Sequence, residues 1–355
     1  MTHPETVTTG SASSPAAAPA PVEVFSTCAA SNFSDRDRYL EQVVNVSRWS
    51  EQAGCKGILV YTDNGLVDPW LASQVVIQST RSLCPLVAVQ PVYMHPYSVA
   101  KLVTTLGFLH HRRVYLNMVA GGFKNDLLAL NDQTPHDKRY DRLVEYTNII
   151  TKLCAGGPVT CLGEFYKVEN LKLTPPLPPE LMPGVFVSGS SEAGLAAARR
   201  MEALAVQYPE PVSRIPVVAG VQGAFGVRVG IIARPNNGDA WSIALQRFPE
   251  DRKGQLTHQL AMKVSDSQWH KQLSEAGKHQ QEHEQNGHRD VYWLGPFENY
   301  KTFCPYLVGT YEEVAGYLGH YVTAGYRTFI LDIPATEEEI QHVNLVFDQV
   351  YRRAA

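Results

Sequence analysis

Residues 184–200 read GVFVSGSSEAGLAAARR, and the character of this stretch changes in its middle. Apolar residues typical of a strand come first, the chain breaks at Gly189, and two serines lead into an Ala- and Leu-rich helix pattern. The start of such a helix leaves backbone N–H groups without intrahelical partners at the positive end of the helix dipole. Gly189, Ser190 and Ser191 are therefore predicted to bind an anion, for which phosphate is the common ligand. The alternative is that Ser190 or Ser191 only caps the helix.

The same order of strand, turn and helix recurs along most of the chain. Predicted strands cover residues 22–27, 58–61, 86–89, 114–119, 185–187, 204–206, 225–233 and 328–331. Predicted helices cover residues 35–53, 69–80, 98–109, 140–153, 192–201, 239–247 and 337–351. Short apolar strands that alternate with helices are typical of a parallel sheet buried on both faces. The number of repeats, with no G-x-G-x-x-G after the first strand, favours an α/β fold of the TIM (β/α)8 barrel type over an open Rossmann sheet.

Three segments interrupt this repeat and are expected as insertions at the C-terminal face of the barrel. Residues 123–138 are a polar insert after the fourth strand, and the proline-rich residues 155–182 are expected to carry a small hairpin around Gly163. Residues 249–305 are long and polar, which is typical of a lid or binding segment. The histidines of that segment are His258, His270, His279, His283 and His288. Their spacing does not match a compact ligand set, so a solvated helix face is favoured and no metal site is predicted.

The composition limits what the chain can do. Its 355 residues carry a net charge of -4 with both signs spread throughout, so neither a nucleic-acid groove nor a polybasic membrane face is expected. Residues 1–21 lack an apolar run and are predicted to be a disordered tail rather than a signal peptide, which leaves residues 22–355 as one domain. The six cysteines contain no C-x-x-C pair and indicate reduced thiols of a cytoplasmic protein. No apolar stretch of about 18 residues predicts a membrane span.

Polar residues at the predicted strand ends are candidate functional groups, because the chemistry of a (β/α)8 barrel takes place in the loops after its strands. Asn117 lies in the apolar stretch LNMVAGG, where a buried amide needs partners from the backbone or from a ligand. Arg228 interrupts the run FGVRVGII, and its burial requires either an ion pair in the barrel mouth or a functional counter-charge. The other candidates either face the pocket or are turn and surface residues: Tyr93 and His95 after the third strand, and His136 and Tyr140 at the start of the fourth helix.

An ordered series of segments resembles the luciferase-like flavin monooxygenase superfamily, and most closely its alkanesulfonate monooxygenase branch. The segments up to the fifth strand are AVQPVYMHP, YLNMVAGG, HDKRYD and FVSGSSEAG. Those that follow are VQYPEP, FGVRVGIIARP, CPYLVGTYEEVAGYL and AGYRTFILD. Each motif alone is weak, but the ordered set covers about residues 23–350.

The resemblance implies a TIM barrel that binds reduced FMN from a separate NAD(P)H-dependent flavin reductase and uses O2, through a flavin peroxide, to oxygenate a small organic metabolite. It also implies a homodimer or homotetramer. The implied FMN contacts are Gly189, Ser190 and Ser191 on the phosphate, Asn117 and Ala120 along the isoalloxazine and ribityl chain, and His136 and Tyr140 on the flavin chain. The implied catalytic set is Arg228, which matches an active-site arginine, with Tyr93, His95 and Tyr208 as pocket donors; Tyr208 replaces a pocket tryptophan.

The substrate side departs from the sulfonate enzymes. Leu66 stands where those enzymes carry a cysteine, Gly230 where they carry a histidine, and DIPA at residues 332–335 where they carry Tyr-Pro-His. Without these polar groups an anionic head would be poorly compensated on desolvation. We therefore expect a substrate that is larger and less charged than a simple alkanesulfonate, with Leu66 as an apolar wall and Gly230 providing room. Two alternatives use the same fold: an F420-dependent oxidoreductase that transfers hydride, and a non-catalytic flavin-binding protein.

Overall fold

The computed structural model describes residues 21–32, 34–121, 123–207, 209–215, 225–264, 273 and 289–354 of the chain. Its strands are β1 (Glu23–Thr27), β2 (Gly57–Val60), β3 (Cys84–Val89), β4 (Tyr115–Met118), β5 (Val159–Leu162), β6 (Lys167–Leu171), β7 (Gly184–Ser188), β8 (Leu204–Gln207), β9 (Phe225–Arg234), β10 (Tyr292–Trp293), β11 (Tyr306–Thr310) and β12 (Tyr326–Leu331). Eight of them, β1–β4, β7–β9 and β12, pair in parallel in that order, and β12 returns to β1. The sheet is closed, and the predicted TIM barrel is confirmed.

The helices surround this barrel. They are α1 (Tyr39–Gln52), α2 (Pro69–Ser79), α3 (Pro96–His110), α4 (Lys124–Ala129), α5 (His136–Cys154), α6 (Glu192–Arg200), α7 (Asn237–Arg247), α8 (Arg252–Val264), α9 (Gly295–Glu298), α10 (Tyr311–Thr323) and α11 (Glu337–Ala354). Several begin at side chains that accept from first-turn amides. The Asp68 carboxylate accepts from the amides of Trp70 and Leu71 at 2.9 and 3.0 Å, and Thr310 and Glu313 form a capping box at α10.

The interior of the barrel has an apolar floor and a polar mouth. Large side chains from successive strands, including Phe25, Leu86 and Phe186, form one buried cluster in its lower part. Successive residues of a strand point to opposite faces, so the next inward positions lie two residues further along each strand. Towards the carboxyl ends these inward positions are polar in Thr27, Asn117, Ser188 and Arg228. The alternation therefore collects polar side chains at the C-terminal mouth.

Two parts of the fold were only partly predicted from the sequence. The hairpin expected around Gly163 is confirmed, because β5 and β6 pair antiparallel on either side of it. The strand–helix unit of β11 and α10 was not predicted. β9 is long enough to serve two sheets: its first half pairs with β8 and β12 in the barrel, and its second half, from Gly230 to Arg234, pairs with β11.

The expected lid, residues 249–305, contains packed elements wherever it is described. Trp293 of β10 lies edge-on to Trp241 of α7, with ring centroids 5.4 Å apart. Lys301 forms an ion pair of 2.7 Å with Asp251. Residues 265–272 and 274–288, with four of the five histidines of the segment, lie outside the described residues, as does the predicted tail up to residue 20. Mobility of the lid therefore stays a prediction.

The cysteines form no disulfides: all six are free thiols, and five of them are buried. Burial raises the pKa of Cys28, Cys55, Cys154 and Cys304 to about 12, which keeps these thiols protonated and unreactive near neutral pH. In the part of the chain that the structure describes, no helix combines the length and the apolar character that a membrane span requires. Within the same ranges, no three His, Cys, Asp or Glu side chains converge as metal ligands would.

Candidate active site

The turn after β7 has the predicted geometry of strand, turn and helix. β7 ends at Ser188, α6 begins at Glu192, and the buried Ser191 lies between them as the N-cap residue. The Ser191 Oγ accepts from the Gly194 amide at 3.1 Å, so the capping alternative is confirmed for Ser191. Capping occupies the side chain of Ser191 but not the remaining first-turn amides, which have no intrahelical acceptor. The turn therefore keeps the donors that an anion needs.

Tyr140 of α5 lies directly over this turn. Its hydroxyl would be 2.7 Å from a Cβ on Gly189, so only glycine fits at that position without displacing the ring. Burial raises the pKa of Tyr140, although a hydrogen bond with Ser191 acts in the opposite direction. The ring of His136, one turn earlier, lies 5.3 Å from the Tyr140 ring. The structure thus brings together at one turn five of the predicted cofactor residues: His136, Tyr140, Gly189, Ser190 and Ser191.

Asn117 lies beside the same turn, because β4 is the neighbour of β7 in the barrel. The Ser188 hydroxyl donates to Asn117 Oδ1 at 2.8 Å, so this buried amide has a side-chain partner on the adjacent strand, which the sequence did not predict. Ala120, two residues beyond the end of β4, is also buried. Gly121 follows with a φ of 104°, a backbone conformation that favours glycine.

Arg228 forms an ion pair on the opposite side of the mouth. Its Nη2 lies 3.1 Å from Asp332 Oδ1, and its guanidinium lies 4.8 Å from the centroid of the Tyr61 ring. The ion-pair alternative for Arg228 is therefore confirmed. The other carboxylate oxygen of Asp332 accepts from the hydroxyls of Thr302 at 2.7 Å and Tyr306 at 2.8 Å.

These contacts decide the charge state of Asp332. Burial alone would raise the pKa of this carboxyl, but the Arg228 charge and the two hydroxyl donors outweigh burial and hold the pKa below its usual range. The Asp332 carboxylate is therefore ionised at neutral pH. Arg228 Nε is buried and has no hydrogen-bond partner among the described residues, so one donor of the fixed guanidinium is unsatisfied there.

The expectation that Gly230 provides room for a substrate is wrong. The aromatic ring of Tyr306 occupies the space that a Cβ on Gly230 would enter. The cause is strand pairing, because Gly230 and Tyr306 are direct neighbours where β9 meets β11. The glycine allows Tyr306 to approach β9 and reach Asp332.

Tyr93 and His95 occupy different environments although they are two residues apart. The Tyr93 hydroxyl donates to Asn64 Oδ1 at 2.8 Å, and the residue lines a cavity of ≈ 280 Å³ at the ends of β2 and β3. His95 is exposed, its Nδ1 accepts from the Tyr97 amide at 3.2 Å, and it caps α3. The structure therefore places Tyr93 at a cavity and His95 at a helix start, as the turn-residue alternative expected. Tyr208 lies outside the described residues.

The same cavity contains Leu66, which lies in its wall with Trp70 and Met94. Other residues of the mouth and cavity were not singled out from the sequence: Tyr61, Asp63, Gln90, Thr302 and Tyr306. Period-two counting from the apolar floor places Tyr61 and Gln90 on the inner face of their strands, so this signal was available. Thr302 and Tyr306 reach the site through β9–β11 pairing, for which the sequence carries no local signal.

A closed parallel barrel with an apolar floor and a polar mouth, ringed by strand-end loops, defines a (β/α)8-barrel enzyme. The family described as luciferase-like monooxygenase matches residues 21–328. The chain belongs to this family, as the ordered motifs indicated.

The chain is also similar to individual proteins. The chain is 32% identical over 323 residues, 89% of its length and 93% of that protein's, to 4-(gamma-L-glutamylamino)butanoyl-[BtrI acyl-carrier protein] monooxygenase BtrO of Niallia circulans. EDTA monooxygenase (EmoA) from Chelativorans sp. BNC1 superposes with a TM-score of 0.72 at 13% identity, covering 95% of each chain. An F420-dependent secondary alcohol dehydrogenase superposes with a TM-score of 0.63 at 15% identity, covering 93% of this chain and 99% of its own.

The relatives assign a monooxygenase activity to the chain, because the family and the 32% identical BtrO agree on it. The two solved structures, at 13% and 15% identity, establish the fold alone. These matches do not single out the alkanesulfonate branch, which stays a prediction.

Proposed function

We propose that the protein is a two-component monooxygenase that binds reduced FMN, delivered by a separate NAD(P)H-dependent flavin reductase, and uses O2 to oxygenate a small organic metabolite. The observation that carries this proposal is the turn after β7, where Tyr140, Gly189 and Ser191 meet at the N-terminus of α6. Bound FMN would supply the oxygen chemistry, which no side chain of the chain needs to provide. The family likeness also supports a homodimer or homotetramer that works in the cytoplasm.

The residues around this turn fit the shape and charge of FMN. Gly189 and Ser190, with the capped start of α6, would hold the phosphate, because the first-turn amides have no intrahelical acceptor and the helix dipole favours an anion. Tyr140 and His136 would flank the flavin chain. Asn117 and Ala120, on the neighbouring strand end, would line the isoalloxazine and ribityl chain, and the Ser188 hydroxyl fixes the Asn117 amide at 2.8 Å.

Arg228 would stabilise negative charge that develops at the reacting centre. Asp332 holds the guanidinium in place, Tyr61 packs on its face, and Nε keeps a donor free among the described residues. Such a prearranged charge in a buried mouth acts more strongly than it would in water. Tyr93 would contribute a hydroxyl on the cavity side, and Tyr208 stays a proposed pocket donor. His95 receives no role in the chemistry, because it caps α3 at the surface.

The substrate is proposed to be larger than a simple alkanesulfonate. Leu66 supports this, because it lines the cavity beside the mouth instead of a polar group. As its name states, BtrO acts on a 4-(gamma-L-glutamylamino)butanoyl group carried by the BtrI acyl-carrier protein. The extended substrate of this relative supports the proposal that the substrate of this protein is also elongated.

The test is oxygen consumption by the purified protein with a flavin reductase, FMN and NADH. Free reduced flavin reacts with O2 by itself, so the informative quantity is the hydrogen peroxide formed per O2 consumed. With substrate present, we expect the wild-type protein to form less hydrogen peroxide per O2 consumed than the reaction without protein. The Ser191→Asp variant should form as much hydrogen peroxide per O2 as the reaction without protein. Turnover with reduced F420 and none with FMN would select the hydride-transfer alternative. Turnover with neither flavin would contradict an enzymatic role.

A further inference from the structure

The cavity at the ends of β2 and β3 has apolar walls and polar groups at two levels. Leu66, Trp70 and Met94 contribute apolar surface to its volume of ≈ 280 Å³. Gln90 lies at the end of β3 and is 7% exposed, whereas Asp63, in the loop after β2, is half-buried. Gln90 at the end of a strand and Asp63 in the loop beyond another strand therefore line the same cavity.

Gln90 is a largely buried residue whose side chain lines the cavity and is not used by the protein. Its backbone carbonyl accepts from the Tyr93 amide at 3.1 Å, which fixes the turn after β3. Its side chain forms no hydrogen bond with any residue that the structure describes, although the residue lines the cavity. A carboxamide placed in this way offers both a donor and an acceptor to a ligand in the cavity that has an acceptor and a donor of its own.

The opening of the cavity carries negative charge without a counter-charge. Asp63 Oδ1 accepts from the Gly65 amide at 2.7 Å, and the adjacent Asn64 donates to the Asp126 carbonyl at 3.0 Å, so the two loops are tied together. Neither Asp63 nor Asp126 forms an ion pair with any described residue. Burial and, after it, the nearby charge of Asp63 raise the pKa of Asp126.

We propose that this cavity is the substrate subsite for a chain that carries an amide and ends in a protonated amine. Gln90 pairs with the amide of that chain, Asp63 pairs with the ammonium group, and the charge of Asp126 strengthens the second contact. An anionic end would instead meet the Asp63 carboxylate directly, and a neutral end would leave the carboxylate uncompensated. The inference rests on the proposed function, because it identifies the substrate class of the same enzyme.

The test is direct binding of three small probes to the FMN-loaded protein by isothermal titration calorimetry. The probes are 6-aminohexanamide, hexanamide without the amine and hexylamine without the amide. Asp63→Asn keeps an oxygen for the Gly65 amide and removes only the charge, and Gln90→Met keeps the length of the side chain and removes the amide. We expect Asp63→Asn to weaken both amine probes about tenfold and to leave hexanamide unchanged. Gln90→Met should weaken both amide probes several-fold and leave hexylamine unchanged.

The matched control is Asp37→Asn, the same chemical change at an exposed residue of the loop after β1, which should leave all three affinities unchanged. Equal affinity of the wild-type protein for 6-aminohexanamide and hexanamide would overturn the inference, as would loss of probe binding when FMN is added. The assay reads binding without turnover. The oxygen assay can therefore fail while the binding pattern holds, or the reverse, and the two proposals are tested separately.

Discussion

The two sides of the barrel mouth bury polar groups above the same apolar floor with different chemistry. On the β4–β7 side the groups are neutral, and the Ser188 hydroxyl donates to Asn117 Oδ1 at 2.8 Å. On the β9–β12 side Arg228 and Asp332 form a buried ion pair, with two hydroxyls that donate to Asp332. A neutral hydrogen bond within the protein can be replaced by a hydrogen bond to a ligand at a small cost in free energy. Separating a buried charge from its partner costs much more. We infer that the first side adapts to a ligand and the second is a fixed electrostatic element.

The largest expected effect comes from removing the cation of the fixed side. Arg228→Ala leaves the Asp332 carboxylate buried without its counter-charge, which should lower the free energy of unfolding by about 3–5 kcal/mol. Ser188→Ala, the corresponding change on the neutral side, leaves one oxygen of Asn117 without its donor and should cost about 1–3 kcal/mol. Urea denaturation of both variants at neutral pH measures the difference.

A second variant tests the cause of that difference. Replacing both Arg228 and Asp332 by leucine and methionine removes the two charges together, and the double variant should recover part of the stability that Arg228→Ala loses; the rest stays lost because Thr302 and Tyr306 no longer have their acceptor. If Arg228→Ala and Ser188→Ala were equally destabilising, the two sides would not differ in the way proposed.

An intermediate effect is expected on the adaptable side. Ser191→Asp keeps the helix cap, because aspartate is as good an N-cap residue as serine, but it places a negative charge beside the proposed phosphate site. The affinity for FMN should fall about tenfold or more, whereas the affinity for riboflavin, which lacks the phosphate, should stay unchanged. Fluorescence titration with both flavins measures this, and Ser191→Asn serves as the neutral control. If Ser191→Asp lowered the affinities for FMN and riboflavin equally, or lowered neither, the phosphate would lie elsewhere.

Much of the fold could be predicted from the sequence, because a buried parallel strand leaves a short apolar run and an amphipathic helix leaves a periodic one. The residues of β7 and α6 illustrate this, since pattern, turn and cap all lie within seventeen consecutive residues. β11 was not predicted, because its apolar residues follow the long insert and the strand does not belong to the barrel. Its place is decided by pairing with β9, a contact between distant segments.

The candidate site divides in the same way. The anion-type turn was predicted because all its parts are local in sequence. The need of Arg228 for a counter-charge was also predictable, but its partner was not named, because Asp332 lies 104 residues further along the chain. The prediction for Gly230 was wrong for the same reason. From the sequence a glycine suggests open space, but the Tyr306 ring, from a strand distant in sequence, fills that space.

The last prediction concerns a change with pH and tests one hydroxyl of the fixed side. Tyr306→Phe removes a donor to the Asp332 carboxylate and should cost about 1.5–3 kcal/mol at neutral pH, the usual value for a hydrogen bond to a charged group. The folded-state pKa of Asp332 is depressed, so its contribution is complete above the ordinary aspartate pKa of about 3.9 and is lost as the pH falls through the folded-state value. The variant has one donor fewer, its Asp332 pKa lies higher, and it should lose this stability at a higher pH. The difference in free energy of unfolding between wild type and variant should therefore be largest near pH 7 and smaller in acid, as measured by urea denaturation from pH 7.5 downwards.

Tyr146→Phe is the matched control, because the Tyr146 hydroxyl donates to the neutral carbonyl of Met94 at 2.9 Å. Loss of this hydroxyl should lower the free energy of unfolding by the same amount at every pH. If the loss of stability caused by Tyr306→Phe did not change with pH, the Tyr306 hydroxyl would support packing rather than the charge of Asp332.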